Sequence, residues 1–195
     1  MASLWYSRVS QSSELEQGDF ILNAYLPRAV NYTAKDFSKL AKESSVSWSH
    51  GDWVVLTQSC DLAEENGKSL DKVILCPVFT LSEFVKQNSA YAGDSEKKMG
   101  KRANIINNRE VGLHALKQTG YAYYPSEPYI INFYDAISVD ADTLVEFAKS
   151  QKKRRLRLKT PYAEAMAQRF GLIFSRIGYP EKFPSKTENK QARGD

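Results

Sequence analysis

Two short apolar runs constrain this chain most. Trp53-Val54-Val55-Leu56 leads into a cluster of small polar or reactive residues, Gln58, Ser59, Cys60 and Asp61. Val73-Ile74-Leu75-Cys76-Pro77-Val78 follows after the ten residues that separate Leu62 from Val73. Runs this short, bounded by polar loops, predict buried strands over 53–59 and 72–78. A sheet core follows, with the polar cluster at the exit of one strand. Rigid strands fix the geometry of groups placed there, which makes the cluster a candidate site.

The remaining segments fill in around that pair. Gly18-Asp19 opens a first strand at Phe20-Ile21-Leu22, and Pro27 ends it. Residues 33–43 carry Phe37, Leu40 and Ala41 at helical spacing behind Thr33. Trp48 to Asp52 reads as a turn, and Gly51-Asp52 repeats the Gly-Asp opening. Thr80 is placed to cap a short helix over 81–87. Residues 89–118 are polar and basic with sparse apolar positions, a helical insertion outside the sheet. Gly120 begins a YAYYP strand that Pro125 stops, and 129–139 alternates with period two, a further strand. Asp140 is placed to cap a helix running to Lys149. Thr160-Pro161 starts a last helix whose buried face is Met166, Phe170, Ile173, Phe174 and Ile177; Gly178 stops it and Pro180 prevents a restart.

This order of elements predicts an α+β fold: a small, partly closed antiparallel β-barrel with inserted helices and a docked C-terminal helix. Regular βαβ alternation is missing, which argues against a doubly wound sheet. One domain is expected over 18–180, with a flexible N-terminus at 1–17 and a disordered tail at 181–195. The 42% apolar and 12% aromatic content of 195 residues suits a folded domain of that size.

Several function classes find no support. The sequence has no Gly-rich phosphate loop. His50, Cys60, Cys76 and His114 do not have zinc-site spacing, so neither metal nor cofactor is expected. No apolar run reaches transmembrane length, and a cytoplasmic protein with reduced thiols and no membrane partner is the expectation. A net charge of +4 does not by itself imply a polyanionic partner.

The charge is uneven, however. Between Lys149 and Lys159 there are seven cations and no acid: Lys149, Lys152, Lys153, Arg154, Arg155, Arg157 and Lys159. Arg155, Arg157 and Lys159 alternate with Leu156 and Leu158, which predicts a strand with one cationic face. Such a face reads phosphates, or else blunts a solvated sheet edge. Lys97, Lys98, Lys101, Arg102 and Arg109 are placed to extend the patch, and Tyr121, Tyr123 and Tyr124 to stack bases.

The polar cluster has its own alternatives. Cys60 would need a base to become a nucleophile, His50 or His114, and is otherwise a small buried hydrophobe. Asp61, if buried, needs a cation: Lys72, Arg169 or Arg176. A structural network tying the last helix to the sheet is one reading. A ligand pocket built on Gln58, Ser59, Asp61, Arg169 and Arg176 is the other.

VVLTQSCDL, VILCPV, YAYYP and the closing PYAEAMAQRFGLIFSRIGYP together resemble an uncharacterised bacterial family with these segments in the same order, over roughly residues 18–180. Genes of that family often lie in mobile or defence-associated regions. The strand openings are also similar to small toxin barrels of the PemK/MazF type. The usual Arg-Pro before the second strand is replaced here by Gly51-Asp52, and no catalytic residue of those toxins transfers. The resulting expectation is a nucleic-acid-binding accessory of a bacterial defence or toxin–antitoxin-like system. Its partners would be RNA or DNA, and a protein of the same operon. The alternatives are an adaptor that docks an acidic partner, and a hydrolase or nuclease using Cys60 or Asp61.

Overall fold

A computed structural model describes residues 5–30, 45–63, 70–122 and 124–175. The expected helix at 33–43, Tyr123, Arg176, Ile177, Gly178, Pro180 and the tail at 181–195 lie outside them. The fold is α+β with antiparallel sheets. Strand β1 (Tyr6–Val9) pairs with β8 (Arg155–Leu158) in a two-stranded sheet. A larger sheet runs in the order β2 (Phe20–Val30), β3 (Ser45–Val55), β4 (Lys72–Thr80), β6 (Tyr129–Asn132), β5 (Leu113–Leu116). Strand β7 (Ile137–Asp140) pairs with the other half of β4. No described ladder joins β2 to β5.

Both faces of the central part of this sheet are covered. On one, Phe20, Val54, Leu56, Cys76 and Val78 pack against Tyr6, Leu156, Leu158 and Met166. These come from β1, β8 and helix α5 (Tyr162–Phe174). On the other, Ile21, Trp53, Val55, Val73 and Leu75 pack against Leu144 and Ala148 of helix α4 (Ala141–Ser150). A third cluster joins Phe84 of α2 (Leu81–Gln87) and Ile105 of α3 (Glu96–Ile106) to Leu113, Ala115 and Ile130.

Helix starts follow the expected chemistry at two places. Thr80 accepts from the Glu83 N–H while Glu83 accepts from the Thr80 N–H, a full capping box. Asp140 accepts from the Thr143 N–H. At the third, Pro161 takes the cap position and the Thr160 hydroxyl bonds the Glu164 carboxylate instead.

The structure differs from the sequence reading in several places: β2 does not end at Pro27 but runs through it to Val30, with Pro27 paired to Trp48. The run at 129–139 is not one strand, because a 3-10 turn at Phe133–Asp135 divides it. Leu56 N–H donates to Ile74 O at 2.9 Å, so the even positions of β4 bond toward β3. Pro77 therefore faces β6 and β7 and has no N–H to offer, and the paired chain lifts away there. The 89–118 segment is not wholly a helical insertion: it ends in β5, a fully buried strand of the sheet. The described residues of YAYYP, Tyr121, Ala122, Tyr124 and Pro125, are not in a strand. Trp48 to Asp52 is not a turn but lies inside β3, which starts at Ser45. No described helix is long and apolar enough to cross a membrane.

Candidate nucleic-acid interface

The basic stretch divides in two. Arg155 and Arg157 are turned inward onto Asp19, which is 0% exposed. Arg157 donates from Nε to Asp19 Oδ1 at 2.6 Å and from Nη2 to Oδ2 at 2.9 Å. Arg155 donates from Nε to Asp19 Oδ2 at 3.3 Å. Its other nitrogens donate to the carbonyls of Gln11, Ser13 and Glu14 at 2.8, 2.7 and 3.0 Å. Arg157 also pairs with Glu16 and bonds the Glu14 carbonyl. The two guanidinium forks thus hold residues 11–19 onto β8, a geometry that ammonium groups would not reproduce. The predicted single cationic face is corrected here: Arg155 is 3% exposed, and Arg157 is mostly consumed by acids. Two charges beside one buried carboxylate need this match, because an unpaired charge there is costly.

The preceding residues turn outward. Lys152, Lys153 and Arg154 are exposed and line a cleft of about 300 Å³ with Phe20, Leu22, Asn23, Asp52, Tyr124, Pro125 and Tyr129. Tyr124 Oη donates to the Arg154 carbonyl at 3.1 Å and so fixes this lip. Lys159 is exposed beyond the far end of β8.

Asp52 also lines this cleft. Its position follows from an irregularity in β2. The β2–β3 register shifts between Ile21 and Ala24, and Asn23 adopts φ 52°, a left-handed conformation that Asn tolerates. The Asn23 N–H donates to Asp52 Oδ1 at 2.9 Å. Burial pushes the Asp52 carboxyl above its ordinary value, opposed by that hydrogen bond. The cleft therefore combines exposed cations with a carboxyl that keeps its proton more readily than most.

The Gln58–Asp61 cluster lies elsewhere. Cys60 and Asp61 sit in the short helix α1 (Ser59–Leu62), both exposed, so Cys60 is not a small buried hydrophobe. Cys76 is buried in β4. Ser59 Oγ accepts from the Gln17 N–H at 3.1 Å, and Gln17 Nε2 donates to the Leu56 carbonyl at 2.7 Å. The serine therefore fastens the same N-terminal segment that the two arginines hold. Ser59 and Cys60 border a second cavity of about 560 Å³ with Leu15, Leu62, Val73 and Val145. The Cys60 thiol faces Gln58 Oε1 at 3.6 Å and Asp61 Oδ1 at 3.8 Å.

The histidines proposed as its base are engaged differently. His50 packs against Tyr25 with centroids 4.4 Å apart and the rings tilted by 32°. His114 is buried against Phe133 near Arg169, its Nδ1 has no hydrogen-bond partner among the described residues, and burial lowers its pKa to about 4. Arg169 donates to the carbonyls of Leu113 and Glu110 at 3.1 and 2.7 Å, tying α5 to the start of β5. The premise of a buried Asp61 that needs a cation does not hold.

The tyrosines expected to stack bases are partly committed to packing. Tyr121 Oη bonds the Tyr6 carbonyl at 3.4 Å and its ring lies under Arg8. Among the outlying cations, Arg102 bonds the Tyr91 and Gly93 carbonyls and pairs with Asp94. Asp52 and Asn23 were missed in the sequence because reading 48–52 as a turn hid the alternation Trp48, His50, Asp52. No protein-family model matches this chain, and no curated protein matches it.

Proposed function

We propose that this chain binds nucleic acid through the lip at Lys152, Lys153 and Arg154. The observation that carries this reading is the lip itself: consecutive exposed cations beside a cleft walled by Tyr124, Tyr129 and Asp52. Phosphates would be held by the cations, and a base or sugar would enter the cleft. Such binding is sequence-tolerant and strongly salt-dependent. A partly closed barrel formed by the two sheets around their shared core is our reading of the architecture. A cytoplasmic accessory role in a bacterial defence or toxin–antitoxin-like system, within the family that carries the QSCDL motif, is our reading of its context. The test is a gel shift with labelled RNA and DNA oligonucleotides at near-physiological salt. The wild-type protein is expected to retard them. Lys152→Gln/Lys153→Gln/Arg154→Gln is expected to lose the shift while keeping its melting temperature. A shift that survives this variant would move the binding surface elsewhere.

A further inference from the structure

The cleft does not end at Asp52. On β3, residues alternate between the two faces of the sheet, and Val54 and Leu56 belong to the face covered by β1, β8 and α5. His50 and Trp48 therefore share the face of Asp52, beyond the edge of that covering layer. The register places Tyr25 opposite His50 and Pro27 opposite Trp48. Directly paired residues of antiparallel strands project to the same side. The irregularity at Asn23 keeps β2 in phase, since Phe20 and Leu22 lie on this face before it and Tyr25 and Pro27 after it. One side of the β2–β3 ribbon thus carries Trp48, Pro27, Tyr25 and His50 in a continuous row that leads into the cleft.

This row is open. Trp48 is 66% and Tyr25 63% exposed, among the most exposed large hydrophobic side chains of the described residues. Exposed aromatics aligned on a ribbon are unusual in a surface that has no partner. The spacing narrows the choice of partner. Successive same-face positions on a strand are about 7 Å apart. Nucleotides of one duplex strand are about 3.4 Å apart. Rings at the wider spacing suit bases that have been pulled apart, and a duplex offers no free base faces to stack on.

We infer that a single strand of RNA or DNA runs along this face, with bases stacked on Trp48 and on the Tyr25–His50 pair, and with its backbone passing to Lys152, Lys153 and Arg154. The polyanion is chosen over an apolar peptide because the cleft that the row reaches at Asp52 also carries Lys152, Lys153 and Arg154. This inference rests on the reading of the lip given above and adds strandedness and a path to it.

Fluorescence anisotropy with a labelled 12-nucleotide strand and its blunt duplex separates the two claims. The single strand is expected to bind at least tenfold more tightly than the duplex. Trp48→Ala and Tyr25→Ala are each expected to weaken single-strand binding about tenfold, in line with aromatic stacking. Because neither removes a charge, their dependence on salt should match wild type. Trp48→Phe should recover most of the affinity. If the lip variant loses binding but both alanine variants bind like wild type, or if the duplex binds equally well, the path is wrong and the lip stands. If wild type binds neither oligonucleotide, the lip reading fails as well.

Discussion

Two halves of one basic stretch meet opposite fates. Lys152, Lys153 and Arg154 are exposed at the mouth of a cleft, whereas Arg155 and Arg157, one to three residues later, are drawn into a network around Asp19. The turn before β8 marks the boundary. Once β8 pairs with β1, a side chain on its inner face must find a partner or pack, and Asp19 is there to meet the guanidinium groups. The difference teaches that charge density along a chain does not measure charge available to a ligand. It also separates the residue types: the inward positions are both Arg, which suits forked bonding to a carboxylate and to carbonyls, and the outward ones are mixed Lys and Arg.

The largest effect should come from breaking the inner half. Asp19→Ala strands two buried or half-buried cations, and Arg155→Gln strands part of the carboxylate. Each is expected to cost about 3–5 kcal/mol of stability in urea unfolding. A loss below about 1 kcal/mol would mean that the network is not what holds residues 11–19 to β8. Substituting Arg154, Arg155 and Arg157 together would therefore confuse unfolding with loss of binding.

Acid should act through another buried group. His114 has a folded-state pKa of about 4, below the unfolded value of about 6.5. Between those values the unfolded chain carries the proton and the native one does not. Stability should thus be intact above about pH 6.5 and fall as pH drops toward 4, by up to about 3 kcal/mol from this residue. Urea unfolding of His114→Gln across that range should show a flatter profile than wild type. An unchanged profile would assign the acid response to other groups.

The two thiols give a smaller contrast. Cys76 is buried, and desolvation raises its pKa. An aromatic disulfide reagent should label Cys60 readily and Cys76 only as the protein unfolds. Cys76→Ser is expected to cost about 1–3 kcal/mol by burying a hydroxyl, against a few tenths for Cys60→Ser. Equal labelling would contradict the placement of Cys60 on the surface.

Smallest of all should be the outer half. Lys152→Gln, Lys153→Gln and Arg154→Gln are each expected to change stability by less than about 0.5 kcal/mol, as surface substitutions do.

Part of this was legible in the sequence, and the rest was hidden for physical reasons. The sheet pair framing Gln58–Asp61, the caps at Thr80 and Asp140 and the presence of a last helix follow from local patterns, although Phe174, read as part of that helix's buried face, is 53% exposed. Strand β3 is hidden because Ser49 and Gly51 alternate with Trp48, His50 and Asp52, so no apolar period marks it before Trp53. The break at Phe133 is caused by Pro77 on a different strand, and single-segment periodicity cannot register that. Asp19 is distant from Arg155 and Arg157 in the chain, so the clamp depends on topology alone. The cationic stretch itself was found, but which side chains point outward was decided by the β1–β8 pairing.

The most direct measurement is the salt dependence of single-strand binding by the wild type and by Lys152→Gln/Lys153→Gln/Arg154→Gln. For single strands, each phosphate contact contributes a slope of about 0.7 in log affinity against log salt. The account predicts that the variant, folded like wild type, loses about 2 from that slope. Equal slopes for the two proteins would contradict it, because the outward cations would then not be the ones that meet phosphate.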